Sequence, residues 1–108
     1  MIQADFIKNS NQIIIGFRVK GHAGYEKYNR DIVCAAVSAL VTSTVNSIEV
    51  HSSTKFVYEQ GKAGKFLFKF TEQPDEIGTV LIHTLEMALV GVQSSYGKKY
   101  LQVHYKEV

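Results

Sequence analysis

Apolar residues in this chain switch four times between two spacings, and that switching limits the folds open to it. They recur at every second position through Ile2, Ala4 and Phe6, and again through Ile13, Ile15, Phe17 and Val19, with Asn9-Ser10-Asn11 between the two runs. Side chains of period two line one face of a strand, so this opening reads as a β-hairpin. The spacing then becomes helical from about Asp31 to Val50. A second hairpin follows, with strands over Lys55 to Glu59 and Lys65 to Phe70 about the turn Gly61-Lys62-Ala63-Gly64, and Phe66, Phe68 and Phe70 share one face.

Gln73-Pro74-Asp75-Glu76 places a proline suited to the first helical position ahead of acids suited to the first turn. Ile77, Val80, Leu81, Thr84, Leu85, Ala88 and Val92 continue at helical spacing, and Gly97 closes the element. Tyr100 to Tyr105 forms a last strand. The order is ββαββαβ. Each strand has one clearly apolar face, which predicts an α/β (α+β) two-layer sandwich: a largely antiparallel five-stranded sheet with both helices on one side. Ile14, Leu67 and Val57 are left for the opposite face, where they are scattered exposure or are covered by a partner.

At 108 residues the chain reads as one domain, 1–108, with a real core. Its single cysteine excludes an internal disulfide and argues against a structural zinc site, so no metal or cofactor is expected. Met1 to Asn9 is interrupted by Gln3, Asp5 and Lys8, and no apolar run approaches ~20 residues, so neither a signal peptide nor a membrane span is expected. A reducing, cytoplasmic location follows as the expectation. Twelve Lys and Arg against ten Asp and Glu leave a net charge of +2, spread without a cationic block. That balance is too mild to argue for direct nucleic-acid binding.

The chemistry concentrates between the second strand and the first helix. Gly21-His22-Ala23-Gly24 is followed by Asp31-Ile32-Val33-Cys34-Ala35-Ala36-Val37-Ser38, which brings the only cysteine close in sequence to a histidine. A thiol nucleophile needs a base to share its proton and donors aimed at the oxyanion it generates. A helix N-terminus helps on both counts, through unpaired amides and roughly half a positive charge. If Asp31 caps the helix, Cys34 lies in its first turn. At about 100° per residue, Val33, Val37, Leu40, Val41, Thr44 and Ile48 gather on one face, with Ala36 on one flank and Cys34, Ser38 and Val45 on the other. Cys34 then stands at the edge of the buried stripe, where a substrate can reach it. The alternative is a small buried hydrophobe, the commoner fate of a cysteine among alanines and valines.

The same two motifs resemble the signature of the ribosomal-processing cysteine protease family, Prp, of Firmicutes and related bacteria. They cover the first third of the chain, and the length and element order agree throughout. The resemblance implies an endopeptidase with Cys34 as nucleophile and His22 as general base and later general acid. It implies, as substrate, the N-terminal extension of large-subunit ribosomal protein number twenty-seven, removed next to a phenylalanine. It further implies processing of capsid or scaffold proteins of some related phages, and a homodimer. The family usually has glycine where this chain has Asn29. Asparagine tolerates a left-handed backbone better than other non-glycine residues. Gly21, Gly24 and Asn29 would then bound a gating loop that closes around bound peptide.

Asp31 could orient His22 or could simply cap the helix. Ser38 could touch the thiol or substrate, or bond back to the Cys34 carbonyl. The backbone N–H groups of Ala23 and Cys34 are oxyanion candidates. Tyr25 and Tyr28 could line an apolar cleft or belong to the core. His51, His83 and His104 lie far from the motif in sequence and suit ordinary surface roles. Two rival functions fit the same composition: a non-catalytic ribosome-associated binding module, and a redox-sensing thiol protein. The first lacks a basic stripe, and the second does not need the glycine-flanked histidine.

Overall fold

The first alternating run becomes β1 (Ile2–Lys8) and the second becomes β2 (Ile14–Gly21), paired antiparallel with Phe6 opposite Phe17. After them come α1 (Lys27–His51), β3 (Phe56–Gln60), β4 (Phe66–Phe70), α2 (Glu76–Tyr96) and β5 (Leu101–Glu107), the order ββαββαβ. This computed structural model describes residues 1–21, 27–61 and 64–108; residues 22–26 and 62–63, and the side chains of residues 27–31, lie outside the description.

The strands lie in the order β3-β4-β2-β1-β5. Three of the pairings are antiparallel, and β5 runs parallel to β1. The core joins one face of this sheet to both helices: Phe6, Phe17, Phe68 and Leu101 meet Val37, Val41, Ile48, Ile82, Leu85 and Leu89. Phe68 is its centre, stacked on Phe17 at 5.2 Å and Phe56 at 4.9 Å, with Phe70 edge-on at 5.0 Å. Fully burying each such side chain stabilises the fold by roughly 1.5–3 kcal/mol.

Two helix starts, one strand register and one helical phase differ from the sequence reading. α1 starts at Lys27, four residues before Asp31. Lys27-Tyr28-Asn29-Arg30 holds no glycine or proline to stop a helix, so Asp31 falls inside it and is not its cap. In β2 a bulge shifts the register: Ile7 pairs with Gly16, but Lys8 pairs with Ile14. The extra residue, Ile15, turns Ile14 to the helix side, where it is buried in the core rather than on the opposite face. Leu67 and Val57 do stand exposed on that face.

α2 begins after Asp75, whose carboxylate accepts from the Gly78 amide at 2.8 Å, so Pro74 precedes the cap instead of opening the helix. Its buried row is Gly78, Ile82, Leu85 and Leu89. Ile77, Val80 and Thr84, expected inside, are exposed. The helix is rotated by roughly a quarter turn from the expected phase, at about 100° per residue. It is apolar on two faces, and spacing alone does not say which one the sheet covers.

The windows Ile32–His51 and Glu76–Tyr96 reach the length and mean hydropathy of a membrane span, 1.5 and 1.3. Here both are helices laid on the sheet.

Candidate active site

Cys34 sits on α1 at the edge of its buried row, half-buried and packed against the core. Val33 and Val37, about 100° and 60° to one side of it in helical phase, are buried, while Ala35, about 100° to the other side, is exposed. The thiol borders a cavity of about 190 Å³ lined by Ile2, Val19, Gly21, Cys34, Val37, Ser38, Gly64 and Phe66. Four elements and a turn therefore meet here. β1 and β2 contribute a wall, α1 the sulfur, and β4 with the turn before it the opposite side.

Two glycines shape this space. Gly21 ends β2 at φ +99°, and a Cβ there would run into the Met1 carbonyl oxygen. Gly64 has φ +72°, and a Cβ on it would stand 3.6 Å from the Gly21 carbonyl oxygen. Glycine is required at Gly21 on both counts, since an L side chain is strained at that φ and has no room.

Cys34 is the eighth residue of α1. The free amides of a helix belong to its first four residues, here 27–30, so the Cys34 N–H falls within the helical ladder. The expectation that Cys34 lies in the first turn, with its own amide free for an oxyanion, is corrected accordingly. Accessibility of the sulfur comes from its place at the edge of the buried stripe.

Ser38, one turn after Cys34, lines the same cavity. The back-bond to the Cys34 carbonyl is not made among the described residues, although Thr44 makes that bond to Leu40 at 2.7 Å. His22, Ala23, Gly24 and Tyr25 lie outside the described residues, as do the side chains of Tyr28, Asn29 and Asp31.

The other histidines are elsewhere. His51 ends α1, His83 pairs with Glu86 on α2 at 3.0 Å, and His104 is exposed on β5. Along the helix axis Cys34 and His51 are about 25 Å apart at 1.5 Å per residue. No described histidine lines the cavity, but Gly21, bonded directly to His22, does. Among the described residues no group of three or more His, Cys, Asp or Glu could hold a metal ion.

Sequence reasoning missed Ile2, Val19, Gly64 and Phe66 as cavity walls. The glycine turn was visible as a turn, but its place beside Gly21 depends on β4 pairing with β2, which no local signal encodes.

Comparison with known proteins bears on the same region. The profile of the family described as cysteine protease Prp matches residues 1–102. The ribosomal processing cysteine protease Prp of Bacillus subtilis (strain 168) is 30% identical over 101 residues, covering 89% of this chain and 90% of that protein. A protein of the same name from Staphylococcus aureus (strain Mu50) is 24% identical over 107 residues, 98% of this chain and 100% of the other. Among solved structures, the S. aureus protease Prp with a covalently linked product peptide superposes with a TM-score of 0.88 at 24% identity, over 98% of this chain and 100% of that one. SMU.848 from Streptococcus mutans superposes at 0.78 with 25% identity, over 100% and 96%.

Proposed function

Because the chain belongs to the cysteine protease Prp family, we propose that this protease trims the N-terminal extension from a ribosomal protein precursor in the cytoplasm, using Cys34 and His22. The observation that carries the reading is the cavity itself: an edge cysteine and Gly21, the residue bonded to His22, border one small, mostly apolar space. The name ribosomal processing protease attaches to the B. subtilis relative, and a substrate-peptide complex to an S. aureus one.

In this mechanism His22 takes the thiol proton as the Cys34 sulfur attacks the scissile carbonyl carbon. The C–S bond forms and the carbonyl electron pair moves onto oxygen. The tetrahedral species collapses to a thioester, and the leaving amine takes its proton from His22. Water, deprotonated by His22, then cleaves the thioester, releasing a carboxylate and restoring the thiol. With the Cys34 amide inside the helix, the oxyanion donor on this reading is the Ala23 N–H.

The cavity is smaller than the roughly 300–1,000 Å³ of a drug-sized site, a scale suited to one side chain. Ile2, Val19, Val37 and Phe66 give it apolar walls, which supports a phenylalanine beside the cut. On this reading the substrate is the precursor of large-subunit protein number twenty-seven. Capsid or scaffold proteins of related phages are further substrates, and the protein works as a homodimer.

The test is cleavage of the precursor peptide by the wild type, Cys34→Ala and His22→Ala, beside the pH dependence of Cys34 alkylation. The wild type cleaves next to phenylalanine and both variants lose activity. Robust cleavage by Cys34→Ala would sink the nucleophile, normal cleavage by His22→Ala would sink the base, and RNA affinity without any cleavage would favour the binding module.

A further inference from the structure

The sheet face turned away from the helices collects positive charge. Lys69, Gly16, Ile7 and Lys106 lie on one rung across β4, β2, β1 and β5, and Leu67, Arg18, Asp5 and His104 lie on the next. Lys20 carries β2 one rung further, and Lys65, just ahead of β4, lines the same cavity as Lys20. Of the described carboxylates, Asp5 and Glu59 are the two on strand positions of this face. Asp5 is buried beneath Arg18 and Lys106, whose Nη2 and Nζ stand 3.1 and 3.5 Å from its Oδ2. Its charge is cancelled within the sheet, while the two cations keep 44% and 54% of their side-chain surface exposed. Glu49, Glu72, Asp75, Glu76 and Glu86 belong instead to the helices and the turn that leads into α2. The net charge of +2 is thus an average over two unlike sides.

A cavity of about 330 Å³ opens on this face, with Arg18, Lys20 and Lys65 on its walls and Glu59 beside Leu67 at its β3 margin. Val19 and Phe66 line both this cavity and the one that Cys34 borders, so the two meet at the last rung of the β2–β4 ladder. No described carboxylate lies within ion-pair distance of Lys20, Lys65 or Lys69. Their charge faces outward.

We propose that this face binds the phosphate backbone of an RNA helix, beside the mouth of the cavity that holds Cys34. The inference stands apart from the protease chemistry; on the protease reading, it sets a precursor already bound to RNA next to the thiol. Charge complementarity identifies the partner, and the layout of the cations narrows it. Strands about 4.8 Å apart put Lys69 and Lys106 some 14 Å from each other, and a rise of about 3.3 Å per residue puts Lys20 roughly 13 Å from that rung. Cations spread in two directions suit the paired phosphate rows of a helix rather than a single track. All the phenylalanines and tyrosines of the described strands alternate to the helix side, so the outer face has no ring on which an unpaired base could stack, as single-stranded recognition requires. The minor groove of an RNA helix is wide and shallow and can be met by a flat surface. Reading B-form DNA takes an element inserted into the major groove, and this face presents none.

The experiment is fluorescence anisotropy with a labelled RNA hairpin and a DNA hairpin of the same sequence, at several salt concentrations, with circular dichroism as the control for folding. The wild type binds the RNA more tightly than the DNA, and binding weakens as salt rises. Lys65→Gln and Lys69→Gln each lower the slope of log affinity against log salt by about one, and the double variant binds at least about tenfold more weakly. Lys8→Gln removes the same charge from the helix side of the sheet, where its Nζ lies over the Tyr105 ring, and leaves affinity and slope as they were. Lys69→Gln cuts the free precursor peptide as the wild type does, since Lys69 lies off the Cys34 cavity. An equal loss in Lys8→Gln would reduce the effect to net charge and sink the assignment of the face. DNA bound as tightly as RNA would rule out the RNA helix as the preferred partner. No RNA binding at physiological salt would overturn the proposal, and co-flotation with anionic phospholipid vesicles would then assign the face to a membrane surface. A wild type that binds RNA but leaves the free peptide uncut would overturn only the protease reading and support this one.

Discussion

Gly21 lies so close to Met1 that the Met1 carbonyl oxygen occupies the place a Cβ on Gly21 would take. The start of β1 thus fixes the end of β2 immediately before His22, on the wall of the cavity that Cys34 borders. Gly21→Ala must move one strand or the other and adopts a φ near +99° that L residues avoid. The expected loss is about 1–3 kcal/mol in denaturant unfolding. Peptide cleavage should fall by more than the folded fraction does, because the displaced backbone belongs to the site.

Ser38 offers a way to fill the cavity without disturbing the core. It is half-buried on the cavity side of α1 and makes no hydrogen bond to the Cys34 carbonyl among the described residues. Ser38→Leu should lower kcat/KM by roughly tenfold or more through lost substrate binding, with the thermal midpoint little changed. Ser38→Ala should leave stability within about 0.5 kcal/mol. Alkylation of Cys34 by iodoacetamide, a small reagent, should persist in both variants and so separate a blocked cavity from a lost thiol.

The linear part of this site was legible and the spatial part was not. Gly21, Cys34 and Ser38 are close in sequence, and helical phase correctly put the cysteine at the edge of the buried row. Phe66 and Gly64 reach the same cavity only because β4 pairs with β2, a long-range choice that alternation in either strand leaves open. The start of α1 is not legible because a favourable cap at Asp31 competes with the run Lys27-Tyr28-Asn29-Arg30, which nothing prevents from being helical. The face of Ile14 is hidden from alternation because one bulged residue, Ile15, inverts the pattern beyond it. For α2 the two apolar faces give periodicity two answers, and the sheet covers the one that carries Ile82, Leu85 and Leu89.

Tyr105 ties the last strand to α2 through its hydroxyl, which donates to the Glu86 carboxylate. Desolvation, that hydrogen bond and the adjacent negative charge push its pKa up to about 12. The neutral phenol is the form the fold favours. Its contribution is complete below the ordinary tyrosine pKa of 10.0 and is lost as pH rises through about 12. Ultraviolet titration should show one phenol ionising near 12, absent in Tyr105→Phe, and the variant should lose less stability than the wild type between pH 10 and 12. A Tyr105→Phe titration that keeps the late step would assign it to another tyrosine.

Asp75 joins the end of α1 to the start of α2. Its carboxylate accepts from the Ser53 and Gly78 amides and the Ser52 hydroxyl, and its own amide donates to Thr54 Oγ1. The Ser53 amide, then the Gly78 amide and the Ser52 hydroxyl, hold its pKa down at about 2, against an ordinary 3.8. A depressed carboxyl stabilises the fold fully above its unfolded value and loses that contribution as pH falls from about 3.8 through 2. Unfolding of the wild type should therefore be pH-dependent across that window, while Asp75→Asn should be flatter there. Asp75→Ala also removes the helix cap and should lower the thermal midpoint at neutral pH. An acid unfolding profile identical in Asp75→Asn and the wild type would show that the carboxylate is not what links the two helices.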